Sequence, residues 1–127
     1  MTTIPEEKIR TEKAEIYFLS EDVLYFGYDN HSYIEGKDLA ASHEVCKELS
    51  KNGLLKLIVE FPSRCDISID AREFAVDAEL PAKAEAIVFH TLAQRILVRF
   101  YYLFNKKQHP VKIFTSKEEA YKWINSV

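Results

Sequence analysis

The stretch from Ala84 to Ser116, AEAIVFHTLAQRILVRFYYLFNKKQHPVKIFTS, constrains the fold more than any other part of this chain. It reads as a buried strand at Ala86–Phe89, an amphipathic helix over about Thr91–Phe104, a basic turn at Lys106–Pro110 and a second strand at Val111–Phe114. Two parallel strands cannot be joined by a tight turn, and a crossover helix is the usual connection. The stretch therefore predicts an α/β protein with a parallel sheet.

The rest of the chain extends that pattern. AEIYFL within Lys13–Leu19 and VLYFGY at Val23–Tyr28 suit two strands, and the polar turn Ser20-Glu21-Asp22 makes them a hairpin. A short extended piece follows at Ser32–Ile34. Over Lys37–Ser50, Leu39, Ser42, Val45, Cys46 and Leu49 fall on one helical face, and Asn52-Gly53 is the expected stop. Leu54–Phe61 is nearly all apolar, as a central strand covered on both faces should be, and Pro62 ends it. After the loop Pro62–Asp66, Ala71, Phe74, Ala75 and Ala78 recur at helical spacing from Ile69 to Leu80, before Pro81. Ser116 and Glu119 form a capping box for a last helix with Ala120, Trp123, Ile124 and Val127 inward. The prediction is one domain over 1–127, with 1–12 as an N-terminal extension. Its core is a mixed, largely parallel sheet of about five strands flanked by helices. The strands Leu54–Phe61, Ala86–Phe89 and Val111–Phe114 should lie parallel in one sheet, with the hairpin at or near an edge.

With 127 residues the chain can bury a proper core, and 47% apolar with 29% charged residues is a globular composition. A net charge of −3 argues against a nucleic-acid partner, because no large phosphate-neutralising face can be assembled. The N-terminal residues lack the apolar core of a secretory signal. Arg95 and Arg99 interrupt the longest apolar run, so no membrane insertion is expected. Two cysteines, Cys46 and Cys65, in unlike contexts fit a reduced, cytoplasmic chain.

The segment Leu92-Ala93-Gln94-Arg95, then Phe100-Tyr101 and Phe104-Asn105-Lys106, then Pro110-Val111-Lys112-Ile113-Phe114, with Glu119-Ala120 and Trp123, resembles an uncharacterised bacterial family of STAS-like proteins. The resemblance takes in Asp70-Ala71-Arg72-Glu73 and covers roughly Glu15–Val127. The order of elements is similar to the STAS fold of anti-sigma-factor antagonists. In those proteins a regulatory serine, usually in an Asp-Ser-Ser/Thr-Gly context, opens the helix after the central strand. The matching place here is Asp66-Ile67-Ser68-Ile69, so the resemblance implies Ser68 as the phospho-switch position. The second hydroxyl residue and the glycine are missing, and Ser63-Arg64-Cys65 intervene. Helix capping is the simpler role for Ser68.

Few other residues invite chemistry. His31, His43, His90 and His109 show no ligand spacing, so no metal site is expected. Cys65 beside Arg64 could carry a lowered pKa, but no histidine stands near it in sequence. No glycine-rich phosphate loop and no matched reactive pair occur, so neither cofactor nor catalysis is expected. On the Thr91–Phe104 helix, Leu92, Ala93, Ile96, Leu97, Phe100, Leu103 and Phe104 form one apolar arc, predicted to face the core. Gln94, Arg95, Val98, Arg99, Tyr101 and Tyr102 share the opposite arc. Arginine mixed with aromatics there is an interface composition. The reading is a non-enzymatic STAS-like interaction or regulatory module whose partner is a second copy (a homodimer) or another protein. The alternative is a domain that binds a small apolar ligand or lipid, because a lipid-transfer fold shares this arrangement.

Overall fold

The computed structural model describes residues 7–50, 53–78, 80–96 and 109–127. In chain order the elements are β1 (Ile9–Arg10), β2 (Ala14–Ser20), β3 (Val23–Tyr28), β4 (Tyr33–Ile34), α1 (Gly36–Leu49), β5 (Leu55–Phe61), β6 (Asp66–Ile67), α2 (Ile69–Asp77) and β7 (Ala82–Phe89). Helical residues 92–96 (α3), β8 (Val111–Phe114) and α4 (Lys117–Ile124) complete the described chain.

Six strands form one sheet in the order β1-β2-β3-β5-β7-β8. β1, β2 and β3 are antiparallel neighbours, whereas β3–β5, β5–β7 and β7–β8 are parallel. The three strands predicted to be parallel in one sheet are so, and the hairpin lies toward one edge. The sheet has six strands rather than five. Ile9–Arg10, expected within the N-terminal extension, pairs with β2, and Arg10 also pairs with Asp29. A two-strand ribbon, β4 with β6, stands apart from the sheet. β6 starts on the last residue of the expected loop, Asp66, and is not among the expected strands, since two residues are too short to show any period.

The alternation of side chains across β5 explains the layers. Leu57, Val59 and Phe61 pack on one face with Leu39, Cys46, Ala71, Ile87 and Phe89, under α1 and α2. Ile58 packs on the other face with Ala84, Ala86, Val88, Ala120 and Ile124, under α4. A strand so sandwiched has no polar face to show, which is why its sequence runs apolar almost throughout. On the α1/α2 face the rings of Tyr28, Phe61 and Phe89 stack across three adjacent strands, with centroids 4.9 and 5.1 Å apart.

Two boundaries differ from the sequence reading. α2 ends at Asp77, and Ala78 is already extended (ψ 132°), so the predicted last turn to Leu80 does not form. The residue before Pro81 is sterically biased away from helix, and the chain turns early to enter β7. β7 starts at Ala82 rather than Ala86 because Ala82 and Ala84 pair with Leu55 and Lys56. Ala82 and Ala84 are buried while Lys83 is exposed, an alternation present in the sequence but hidden by its small apolar residues.

Candidate functional site

All the connections that leave the carboxyl ends of β3, β5 and β7 gather at one end of the sheet. They carry Ser68, the ribbon β4–β6, the loop 62–65 and the start of α3. In an open α/β sheet this is the end at which ligands and partners are usually met.

Ser68 is the N-cap of α2 and is 5% exposed. Its Oγ accepts from the Ala71 amide at 3.0 Å, while its hydroxyl donates to the Asp70 carboxylate. Asp70 in turn accepts from the Gly36 amide at 3.0 Å, which ties the starts of α1 and α2 together. The Ser68 hydroxyl and the Gly36 amide hold the Asp70 carboxyl below its usual range. A Cβ on Gly36 would stand 2.9 Å from the Asp70 carboxylate, which would then have to shift away from the Gly36 amide it accepts from. The position implied by the STAS resemblance is therefore an occupied, buried cap.

Beside it, Gln94 donates from Nε2 to the carbonyls of Pro62 (3.2 Å) and Cys65 (3.0 Å). Thr91 caps α3, its Oγ1 accepting from the Gln94 amide at 3.1 Å. This corrects the predicted faces over the described part of the helix. Gln94, placed on the outward arc, turns toward the loop, and Arg95 is half-buried. Leu92 and Ile96, placed on the core arc, are 63% and 59% exposed, and Ala93 is exposed too. Two open carbonyls on the 62–65 loop need a donor, and Gln94 supplies it. That hydrogen bond, invisible to a count of apolar spacing, sets the helix rotation. Val98, Arg99, Tyr101 and Tyr102 lie outside the described residues.

Cys65, read as a loop thiol, is buried (4% exposed), and desolvation followed by the charge of Asp66 pushes its pKa up to about 11. Burial raises the Cys46 thiol as well. Arg64 does not lower Cys65, and both cysteines are free thiols without thiolate character.

Two polar clusters, one of three residues and one of two, escaped the sequence reading. On the α4 face, the Tyr25 hydroxyl donates to one oxygen of Glu60, and the other oxygen lies 2.7 Å from Nε2 of His90. Burial, together with the neighbouring carboxylate, raises the Tyr25 hydroxyl far above the ordinary phenol, so it stays a donor. On the α1/α2 face, Glu85 pairs with His109 at 3.1 Å, both nearly buried, on the wall of a cavity of about 70 Å³. Phe26, Leu39, Val59, Ile87 and Phe89 form much of the rest of that wall. The available signal was Glu60 itself, the one acid in a strand whose other residues except Lys56 are apolar, since such a charge must find partners. Among the described residues, no three metal-ligating side chains come together. No described helix is long and apolar enough to cross a membrane.

These features define a mixed α/β domain of the SpoIIAA-like, or STAS-like, fold. A solved structure carries that description: an uncharacterised protein of the DUF3478 family from Shewanella loihica PV-4. It aligns over 98% of each chain with a TM-score of 0.60 at 16% identity, a likeness of fold. More narrowly, the chain belongs to the family described as a domain of unknown function, DUF7793, whose pattern spans residues 17–127. A protein of unknown function from Arthrobacter sp. FB24 aligns over 94% of this chain and 98% of its own, with 20% identity and a TM-score of 0.34. No curated protein matches the chain.

Proposed function

We propose that this protein is a non-catalytic STAS-like interaction module that pairs with a second copy of itself through the carboxyl end of its parallel strands. The observation that carries this reading is the set of large apolar side chains left open there. Tyr33 is 55% exposed, Ile69 63%, Leu92 63% and Ile96 59%. Arg64 and Asp66 are exposed beside them, with Arg95 half-buried. Among the described residues none of these three charges has an ion-pair partner. An apolar centre with unpaired charges of both signs at its rim is self-complementary across a two-fold axis, the commonest symmetry of soluble oligomers.

A lipid-binding role has less support. The cavity between the sheet and α1/α2 measures about 70 Å³, against roughly 300 Å³ or more for an ordinary small-molecule site.

Light scattering over a concentration series tests the pairing. The wild type should give the mass of a dimer, and Leu92→Asp with Ile96→Asp that of a folded monomer, since both side chains are open to solvent. A monomeric wild type at high concentration, or an undisturbed dimer in the double variant, rules the interface out.

A further inference from the structure

We infer that the pocket beside Tyr25, Glu60 and His90 is a binding site for a small uncharged molecule with a planar apolar body and one O–H or N–H donor. The pocket is open, has a volume of about 510 Å³, and includes Tyr25, Pro62, Ser63 and His90 in its wall. Its size falls in the range of small-molecule sites, roughly 300–1,000 Å³. This proposal rests on the Tyr25–Glu60–His90 geometry and does not depend on the pairing reading.

The argument runs from the carboxylate outward. Glu60 is 18% exposed, so its charge sits in a poorly solvated place and both oxygens need donors. Tyr25 supplies one and the Nε2–H of His90 supplies the other. An ionised carboxylate only accepts, so its bond to Nε2 selects the imidazole tautomer with the proton on that nitrogen. When the ring is neutral Nδ1 is then an acceptor, and no hydrogen bond to it is found among the described residues. The His90 side chain is 36% exposed and lines the pocket together with Glu60 and Ser63, so its lone pair is one of the acceptors open to a ligand there.

The supporting side is rigid. The Tyr25 ring lies over Gly27, where a Cβ would stand 3.0 Å from the ring and its hydroxyl, tighter than ordinary packing, so glycine favours the approach. The ring also contacts Tyr17 (5.0 Å between centroids), and the Lys117 ammonium sits 4.0 Å above it. That ammonium discourages a cationic ligand, and Glu60 discourages an anionic one. A neutral donor on a flat apolar body avoids both penalties and can rest against Pro62 and the Tyr25 edge.

NMR titration of the full chain with phenol and with anisole tests the proposal, because the two probes share a ring and differ in the donor. Phenol should shift Tyr25, Glu60 and His90 saturably, and anisole should bind about tenfold more weakly, the worth of one hydrogen bond. His90→Phe should cost phenol the same factor and leave anisole unchanged. Acidifying the wild type until the His90 ring nitrogens report imidazolium should do likewise, since both nitrogens are then donors. This arm needs no variant, so it decides the matter even if His90→Phe does not fold. Equal affinity for the two probes, shifts located elsewhere, or phenol binding indifferent to acidification would overturn the site.

Discussion

Ser68, the residue for which the STAS resemblance implied a phospho-switch, is bonded in the structure as a helix cap. Its oxygen satisfies an open amide of α2, and its proton goes to Asp70, which also receives the Gly36 amide. A phosphate there would have to break this arrangement and sit beside the carboxylate of Asp70. Ser68→Ala should lower the unfolding free energy by about 0.5–2 kcal/mol at neutral pH, as expected for a lost cap. The pH dependence follows from Asp70, whose carboxyl is held below its usual range, chiefly by the Ser68 hydroxyl. The folded state then binds fewer protons than the unfolded one. The associated stability is present above about pH 4, the ordinary aspartate value, and is lost as pH falls through the lower folded value. Urea unfolding of wild type and Ser68→Ala should accordingly converge on acidification. A gap that stays constant to pH 2 would mean the Asp70 link adds nothing.

Among the elements, α3 shows how little apolar periodicity says when a polar anchor is present. Seven apolar residues fall on one arc of the predicted helix, and a count of spacing sends that arc inward. Over the described turns, Leu92 and Ile96 face solvent because Gln94 is held by the Pro62 and Cys65 carbonyls. Gln94→Ala would leave both carbonyls unsatisfied and release the helix start from the loop. Amide hydrogen exchange over 62–65 and 92–96 should quicken by about an order of magnitude, as loss of roughly 1–2 kcal/mol of local stability implies. The central strands should be unchanged. Unaltered exchange in both segments would show that packing, not this side chain, orients α3.

For the molecule as a whole, stability rests on the sheet and its two covered faces. Phe89 is fully buried, stacks on Phe61, and through it extends the row to Tyr28, joining three parallel strands under α1 and α2. Phe89→Ala removes the end of that row and enlarges an existing cavity. The cost should be about 3–5 kcal/mol, a large share of the 5–15 kcal/mol that holds a domain of this size together. Thermal unfolding by circular dichroism should show a midpoint lowered by ten degrees or more, on the usual scale of about 4–8 °C per kcal/mol for small domains. A shift of only a few degrees would mean the site collapses around the missing ring.

Legibility followed the range of the interactions. The parallel order of β5, β7 and β8 could be read from the chain, because crossover helices and apolar strands leave local marks. The caps at Ser68 and Ser116 could be read too, since a cap is satisfied within three residues. The ribbon β4–β6, the strand β1 and the inward turn of Gln94 depend on partners 5 to 33 residues away, and no local period encodes them. The Tyr25–Glu60–His90 cluster is the extreme case. Its members stand 30 and 35 residues apart and meet because parallel pairing sets β3, β5 and β7 side by side. Local hydrogen bonding and side-chain periodicity determined the elements and their order from the sequence alone. Long-range pairing, which aligns distant residues without marking any of them, decided which polar groups share a pocket and which apolar ones are left facing water.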